Sequence, residues 1–188
     1  NAPWAVRTAA YAGNYVVAVN AKAAGQIGVG VLGIGLLPEA LYHSPAALES
    51  ARDQVRAGVA SDNGEEVARG IAPGNIFLAG FSQGGAVALH TALRQTVPLG
   101  GVLVLSAYLL LAENLAYEAS VNARQTPIFM AHGRNDPVVP YALGAASSDT
   151  LLELGYAVEW HEYGMPHSVC EEELRDIEVW LTRQIKNA

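Results

Sequence analysis

Asn75-Ile76-Phe77-Leu78-Ala79-Gly80-Phe81-Ser82-Gln83-Gly84-Gly85-Ala86 passes from a short apolar run, through a glycine-flanked serine, into a second apolar stretch. Asn75–Ala79 is bounded by Gly74 and Gly80 and reads as a short buried strand. Gly84–Leu93 is apolar nearly all round, which predicts a buried helix. Between them, Gly80–Gly84 fits G-x-S-x-G. Alone the pattern is weak, since roughly one chain in ten of this length carries it by chance. Its setting is more specific: a serine on a sharp strand-to-helix turn is strained, exposes its Oγ above a sheet, and sits at a helix N-terminus that favours negative charge. Ser82 is therefore the candidate nucleophile.

The pattern continues on both sides of this segment. Upstream, Tyr15–Val19 reads as a short buried strand, and Ile27–Leu37 as a glycine-interrupted apolar run that could be a bent strand. Ser44-Pro45 opens a predicted helix with Leu48, Ala51, Val55 and Val59 on its inner face, and Asp62-Asn63-Gly64 reads as a turn. Downstream, strands are predicted at Val102–Ser106, Pro127–Ala131 and Ala157–Tyr163. A mostly helical Tyr141–Leu154 is ended by Gly155. The last helix is expected behind a capping box, Ser168 to Glu171, with Leu174, Ile177, Leu181 and Ile185 facing inward. Continuous apolar strands alternating with helices predict a single α/β domain with a mostly parallel sheet covered on both faces.

Serine is a weak nucleophile at neutral pH and needs a base, which needs an orienting partner. On sheets of this kind the chain order is Ser, then Asp or Glu, then His. Asp136 follows the Pro127–Ala131 strand in His132-Gly133-Arg134-Asn135-Asp136-Pro137, and His167 follows the Ala157–Tyr163 strand in Gly164-Met165-Pro166-His167. The carboxyl ends of parallel strands share one edge, so the three side chains can converge. Read singly, Asp136 is an ordinary turn residue before proline and His167 a residue preceding a helix cap; their joint placement after the Ser82 turn outweighs both readings. Among the other histidines, His43 falls in a loop, His90 on the buried helix, His132 at a strand end where it shapes the Asp136 loop, and His161 within a strand. None has metal-site spacing, so no metal or cofactor is expected.

Composition narrows the classes. In 188 residues, 51% are hydrophobic and only 15% charged, and the net charge is −7. Basic residues form no run, which disfavours nucleic acid and anionic membrane surfaces as partners. Cys170 is the lone cysteine, so no intramolecular disulfide or thiolate cluster forms. The longest apolar stretches, Ile27–Leu37 and Gly100–Ala112, fall short of the about 18 residues a spanning helix needs. The N-terminus lacks a basic-then-apolar leader pattern, and the expectation is a soluble cytoplasmic protein.

Four segments carry a resemblance: Ile76–Ala86 (IFLAGFSQGGA), Pro98–Tyr108 (PLGGVLVLSAY), His132–Val139 (HGRNDPVV) and Glu162–His167 (EYGMPH). Together they resemble the bacterial carboxylesterase, lysophospholipase and acyl-protein thioesterase family over about residues 71–185. The G-F-S-Q-G-G core is far more specific than G-x-S-x-G. The resemblance implies an α/β-hydrolase fold, a Ser82, Asp136 and His167 triad, the Gln83 N–H as one oxyanion donor, and frequent dimers. The N-terminal third departs from that family: its His-Gly-Leu-Gly-type loop, which supplies the second donor, is absent. Counting from the end of the Tyr15–Val19 strand into Asn20–Ala24 makes Lys22 the expected second donor, with the glycines of Gly33–Leu36 as the alternative.

The expected activity is hydrolysis of small carboxyl esters with short to medium acyl chains, with thioesters or lysophospholipids as alternative substrates. Ala107–Ala112 (AYLLLA) follows a strand end and reads either as an acyl-chain lining or as ordinary core. The competing class is a hydrolase-fold protein that binds without catalysis.

Overall fold

The computed structural model describes residues 15–22, 26–33 and 73–187. The predicted helix after Ser44-Pro45, the turn at Asp62–Gly64 and His43 lie outside the described residues. Six strands are described: β1 (Tyr15–Lys22), β2 (Gln26–Gly33), β3 (Ile76–Phe81), β4 (Gly101–Leu105), β5 (Ile128–Gly133) and β6 (Val158–Tyr163). The helices are α1 (Gln83–Ala92), α2 (Tyr141–Glu153) and α3 (Glu171–Asn187), with a single helical turn at Leu115–Glu118. The sheet order is β2-β1-β3-β4-β5-β6. Strands β3 to β6 pair in parallel, while β1 runs antiparallel to both β2 and β3. The expected parallel sheet is thus a mixed one, with its parallel part carrying the candidate site.

Alternate strand residues belong to two separate cores, as the period of two in a strand requires. On one face Ile76, Leu78, Val102, Val104, Ile128 and Met130 pack with Val87 and Leu89 of α1 and Leu151 of α2. On the other, Phe77, Leu103 and Phe129 pack with Ile177, Trp180 and Leu181 of α3. Burial on both faces is why these strands read as continuous apolar runs. The approach of α1 needs its glycines. A Cβ on Gly80 would overlap the Gly84 backbone, and one on Gly85 would lie 2.7 Å from the Gly80 carbonyl and 2.8 Å from the Ala107 Cβ.

The last helix starts later than its sequence suggests; Ile177, Leu181 and Ile185 pack inward as expected, but Leu174 does not. Its N-cap is Cys170, whose Sγ accepts the Glu173 N–H at 3.5 Å, rather than Ser168. Leu174, expected inside, is 39% exposed, whereas Glu173 at the neighbouring position is fully buried. Position 173 is one turn before Ile177 and two before Trp180, so the core stripe of α3 passes through a carboxyl group. Neither Glu173 oxygen makes a hydrogen bond of good geometry among the described residues, the Cys170 amide being its one nearby donor.

Burial pushes the Glu173 carboxyl up to about 7, against a weaker downward pull from the Cys170 amide and a further push from Asp176. An acid whose folded pKa is raised favours the fold while it is protonated. The stabilisation is complete below the ordinary 4.5 and disappears as pH rises through about 7. That difference corresponds to about 3 kcal/mol. We expect urea unfolding at pH 5 and pH 8 to show wild-type stability falling with pH. Glu173→Gln, which cannot ionise, should flatten most of that slope; equal slopes for the two proteins would contradict the burial argument.

Candidate active site

Ser82 stands where β3 becomes α1, with φ 56° and ψ −126°, a backbone conformation that non-glycine residues rarely adopt. Holding it costs on the order of 1–3 kcal/mol. The neighbouring strand supplies an anchor: the Ser82 N–H donates to the Leu105 carbonyl of β4 at 2.8 Å. Ser82 is also the N-cap of α1, yet its hydroxyl makes no cap bond. The Oγ is therefore not consumed by the helix it precedes. Ala86 N–H donates to the Ser82 carbonyl at 3.1 Å, and the Gln83 N–H lies in the first turn of the helix that this bond opens.

Asp136 and His167 come from different loops on the same sheet edge. The loops are tied by backbone bonds from Arg134 N–H to the Tyr163 carbonyl at 2.8 Å and from Asn135 N–H to the Met165 carbonyl at 3.2 Å. Gly133 makes this contact feasible, since a Cβ there would run into the carbonyls of Met165 and Pro166. His167 Nδ1 lies 2.7 Å from Asp136 Oδ2. The other carboxylate oxygen, Oδ1, accepts the Val138 N–H at 2.8 Å and the Val139 N–H at 2.9 Å. Burial raises the Asp136 pKa, but the bonds from His167 and the two valine amides outweigh it, so the net shift is downward and the carboxylate stays ionised. The His167 ring packs against Phe81, with centroids 4.6 Å apart. Phe81 directly precedes Ser82, so this contact seats the imidazole beside the turn that carries the serine.

The remaining sequence expectations divide. The antiparallel pairing of β1 with β3 sets Asn20 opposite Ile76 and Val16 opposite Gly80, which carries Lys22 to the sheet edge away from Ser82. A loop at Asn20–Ala24 would reach Ser82 only from a β1 parallel to β3; the antiparallel direction corrects the expectation that Lys22 is the second donor. Gly33 ends β2 opposite Tyr15, on the same edge as Ser82 and two strands away, about 10 Å at ordinary strand spacing. Residues 34–36 of the alternative loop lie outside the described residues. His161 sits on a sheet face rather than at the edge, stacked on Phe129 and Tyr163, with its nitrogens 3.1 Å from Glu159 and 3.5 Å from Asp176. His90 is buried on α1, as expected of a core histidine. Ala107 and Leu109 belong to the core and Leu110 packs against it, while Leu111 is half-buried. Among the described residues no group of histidine, cysteine and acidic side chains could hold a metal, and no helix is long and apolar enough to cross a membrane.

Three participants were not legible beforehand. In the sequence Phe81 stands out only as part of the G-F-S-Q-G-G core, with no sign of its contact with His167, and Leu105 only as a strand residue. The rim ion pair joins Arg134 and the Tyr141 hydroxyl to the Glu162 carboxylate across β5, α2 and β6. None has a local sequence signal, because each acts through a partner distant in the chain.

A family model described as phospholipase/carboxylesterase matches residues 59–185. The chain belongs to this family. Acyl-protein thioesterase 1 of Gibberella zeae is 45% identical over 124 residues, which are 64% of this chain and 53% of that protein. Carboxylesterase SOBER1 of Arabidopsis thaliana is 36% identical over 125 residues, 66% of this chain and 55% of that protein. The chain thus spans about half the length of the curated relatives it matches. Among solved structures, Arabidopsis thaliana SOBER1 superimposes with a TM-score of 0.67 at 33% identity, covering 74% of this chain and 65% of that one. The phospholipase/carboxylesterase from Dyadobacter fermentans gives 0.69 at 26% identity, covering 82% and 75%. The fold of this family member is the α/β-hydrolase fold that the resemblance implied, a mixed sheet with four parallel strands and helices packed on it.

Proposed function

We propose that the chain is a serine hydrolase that cleaves carboxyl esters of short to medium acyl length through an acyl-enzyme on Ser82. The observation that carries this reading is the 2.7 Å contact of His167 Nδ1 with buried Asp136, seated against the residue that precedes Ser82. In the first step, His167 Nε2 takes the Ser82 proton as Oγ attacks the acyl carbon. Asp136 holds the imidazole in the Nδ1–H tautomer and stabilises the imidazolium. The Gln83 N–H at the start of α1 receives the developing oxyanion; one such donor is worth about 3–4 kcal/mol of barrier. His167 then protonates the leaving alcohol, and a water activated by the same imidazole releases the acid. In this proposal a second backbone N–H, from a loop on the Ser82 edge of the sheet, completes the oxyanion hole. No metal or cofactor takes part. The proposal includes a cytoplasmic location and self-association into dimers.

Thioester cleavage is the second reading, favoured by the relatives named acyl-protein thioesterase 1. A panel of p-nitrophenyl esters of rising chain length, together with one acyl thioester, separates the two. We expect kcat/KM to be highest for short to medium esters. A thioester preferred by tenfold or more would replace the ester reading. No turnover on the panel, with no labelling by a fluorophosphonate probe, would leave a binding protein on a hydrolase fold.

A further inference from the structure

His132 is fully buried at the end of β5, yet it takes no part in the proton transfers described above. Its ring lies near-parallel to Trp160 and edge-on to Tyr141, with centroids 6.2 Å from each. One ring edge rests on α2: a Cβ at Gly144 would overlap Nδ1 and come within 2.9 Å of Cε1. The opposite nitrogen, Nε2, is 2.9 Å from the Val139 carbonyl. A carbonyl only accepts, so Nε2 must carry the proton. The same Nε2 faces Asp136 Oδ2 at 3.6 Å, the oxygen that also meets His167. Val139 is consequently held twice, its N–H by Asp136 Oδ1 and its C=O by His132.

We infer that His132 is a positioning residue for the reaction at Ser82: its Nε2–H clamps the Asp136–Val139 turn to β5 and so aims the Asp136 carboxylate at His167. This inference rests on the proposed acyl transfer. The turn contains Pro137, and its other backbone ties are the two amide bonds to the Asp136 carboxylate and the Asp136 N–H bond to the Gly133 carbonyl at 3.3 Å. A turn closed mainly on itself is free to tilt as a unit. The clamp adds a bond to a rigid ring wedged between β6 and α2. Loss of the clamp leaves substrate binding intact and spoils the Asp136–His167 alignment that the transition state needs. A misplacement of about 1 Å at such a group costs up to about 100-fold in rate.

Four proteins test this: His132→Phe, His132→Gln, Gly144→Ala and the double variant of His132→Phe with Asp136→Asn. His132→Phe keeps the ring and loses the donor; kcat should fall tenfold to a hundredfold with KM unchanged. The His132→Gln side-chain amide offers an N–H to the Val139 carbonyl and should recover most of the loss. Gly144→Ala presses on the ring from α2 and should lower kcat in the same direction. On the Asp136→Asn background, His132→Phe should add little, since the turn no longer carries a carboxylate to aim. By proton NMR, the low-field Nδ1–H signal of His167 should broaden in His132→Phe and return in His132→Gln. Wild-type kcat in His132→Phe, or an equal fold-loss in both backgrounds, overturns the inference. Should His132→Phe not fold, wild-type kcat in Gly144→Ala overturns it instead. Fluorophosphonate labelling of the wild type keeps the two levels apart: an unlabelled wild type defeats the acyl-transfer reading itself, while a labelled wild type with an unaffected His132→Phe defeats only the clamp.

Discussion

Ser82→Ala is expected to lower kcat by about 10⁴- to 10⁶-fold while leaving the fold intact. The size follows from removing the acyl acceptor outright: what survives is the catalysis that the oxyanion donors and substrate binding give to water attack. The fold is spared because the Ser82 hydroxyl makes no cap bond to α1, and the anchor of the turn is its backbone N–H on the Leu105 carbonyl. Alanine keeps that N–H and meets the same φ of 56° that serine does. Its unfolding free energy should stay within about 0.5 kcal/mol of wild type, as for substitutions that touch no packing or hydrogen-bond network. Steady-state kinetics and urea unfolding of the same preparation check both halves. Activity within tenfold of wild type in a folded Ser82→Ala protein would move the nucleophile elsewhere.

Asp136→Asn is expected to cost about 10⁴-fold in kcat, more than the loss of one charge in a polar site would suggest. The reason lies in how the carboxylate is held. Two amides, Val138 and Val139, both require an acceptor at Oδ1. An asparagine must turn its oxygen toward them, which aims its NH₂ group at His167 Nδ1. That nitrogen then accepts instead of donating, and the imidazole proton moves to Nε2, where it can no longer take the Ser82 proton. The NH₂ also meets the Nε2–H of His132, the other group on that side. A loss of kcat in a protein that still folds and unfolds cooperatively is the expected signature. His161→Ala is the control: its ring is engaged by Glu159 and Asp176 on a sheet face. Loss of activity there, with activity kept in His167→Ala, would reassign the base.

Most of the parallel half of the sheet was readable in the chain, because strands buried on both faces must be apolar at every position and helices of this kind end on glycine. The strand predictions at Asn75–Ala79, Val102–Ser106, Pro127–Ala131 and Ala157–Tyr163 lie within one to two residues of β3, β4, β5 and β6. The α3 cap was misplaced by two residues, since cysteine is an uncommon N-cap and Ser168 is a good one. Of the inward face of α3, Ile177, Leu181 and Ile185 are where the period puts them, and only Leu174 is displaced, because a periodicity argument assigns a core position to leucine before Glu173. Only packing reveals that the carboxyl is the one enclosed.

By itself, the sequence determined the alternation of strands and helices, the turn at Ser82 and the order of Ser82, Asp136 and His167 along the chain. These depend on residues within a few positions of one another: glycines at a turn, an apolar period, a proline after an aspartate. Tertiary structure alone decided the rest. The direction of β1 against β3 removed Lys22 from the Ser82 edge. The Gly133 contact brought the two loops within reach, and the His132 ring met Val139 and Asp136. A strand's direction within a sheet, and which ring rests on which glycine, are set by partners dozens of residues away. No local pattern encodes such pairings, because the chain meets them only once the sheet has closed.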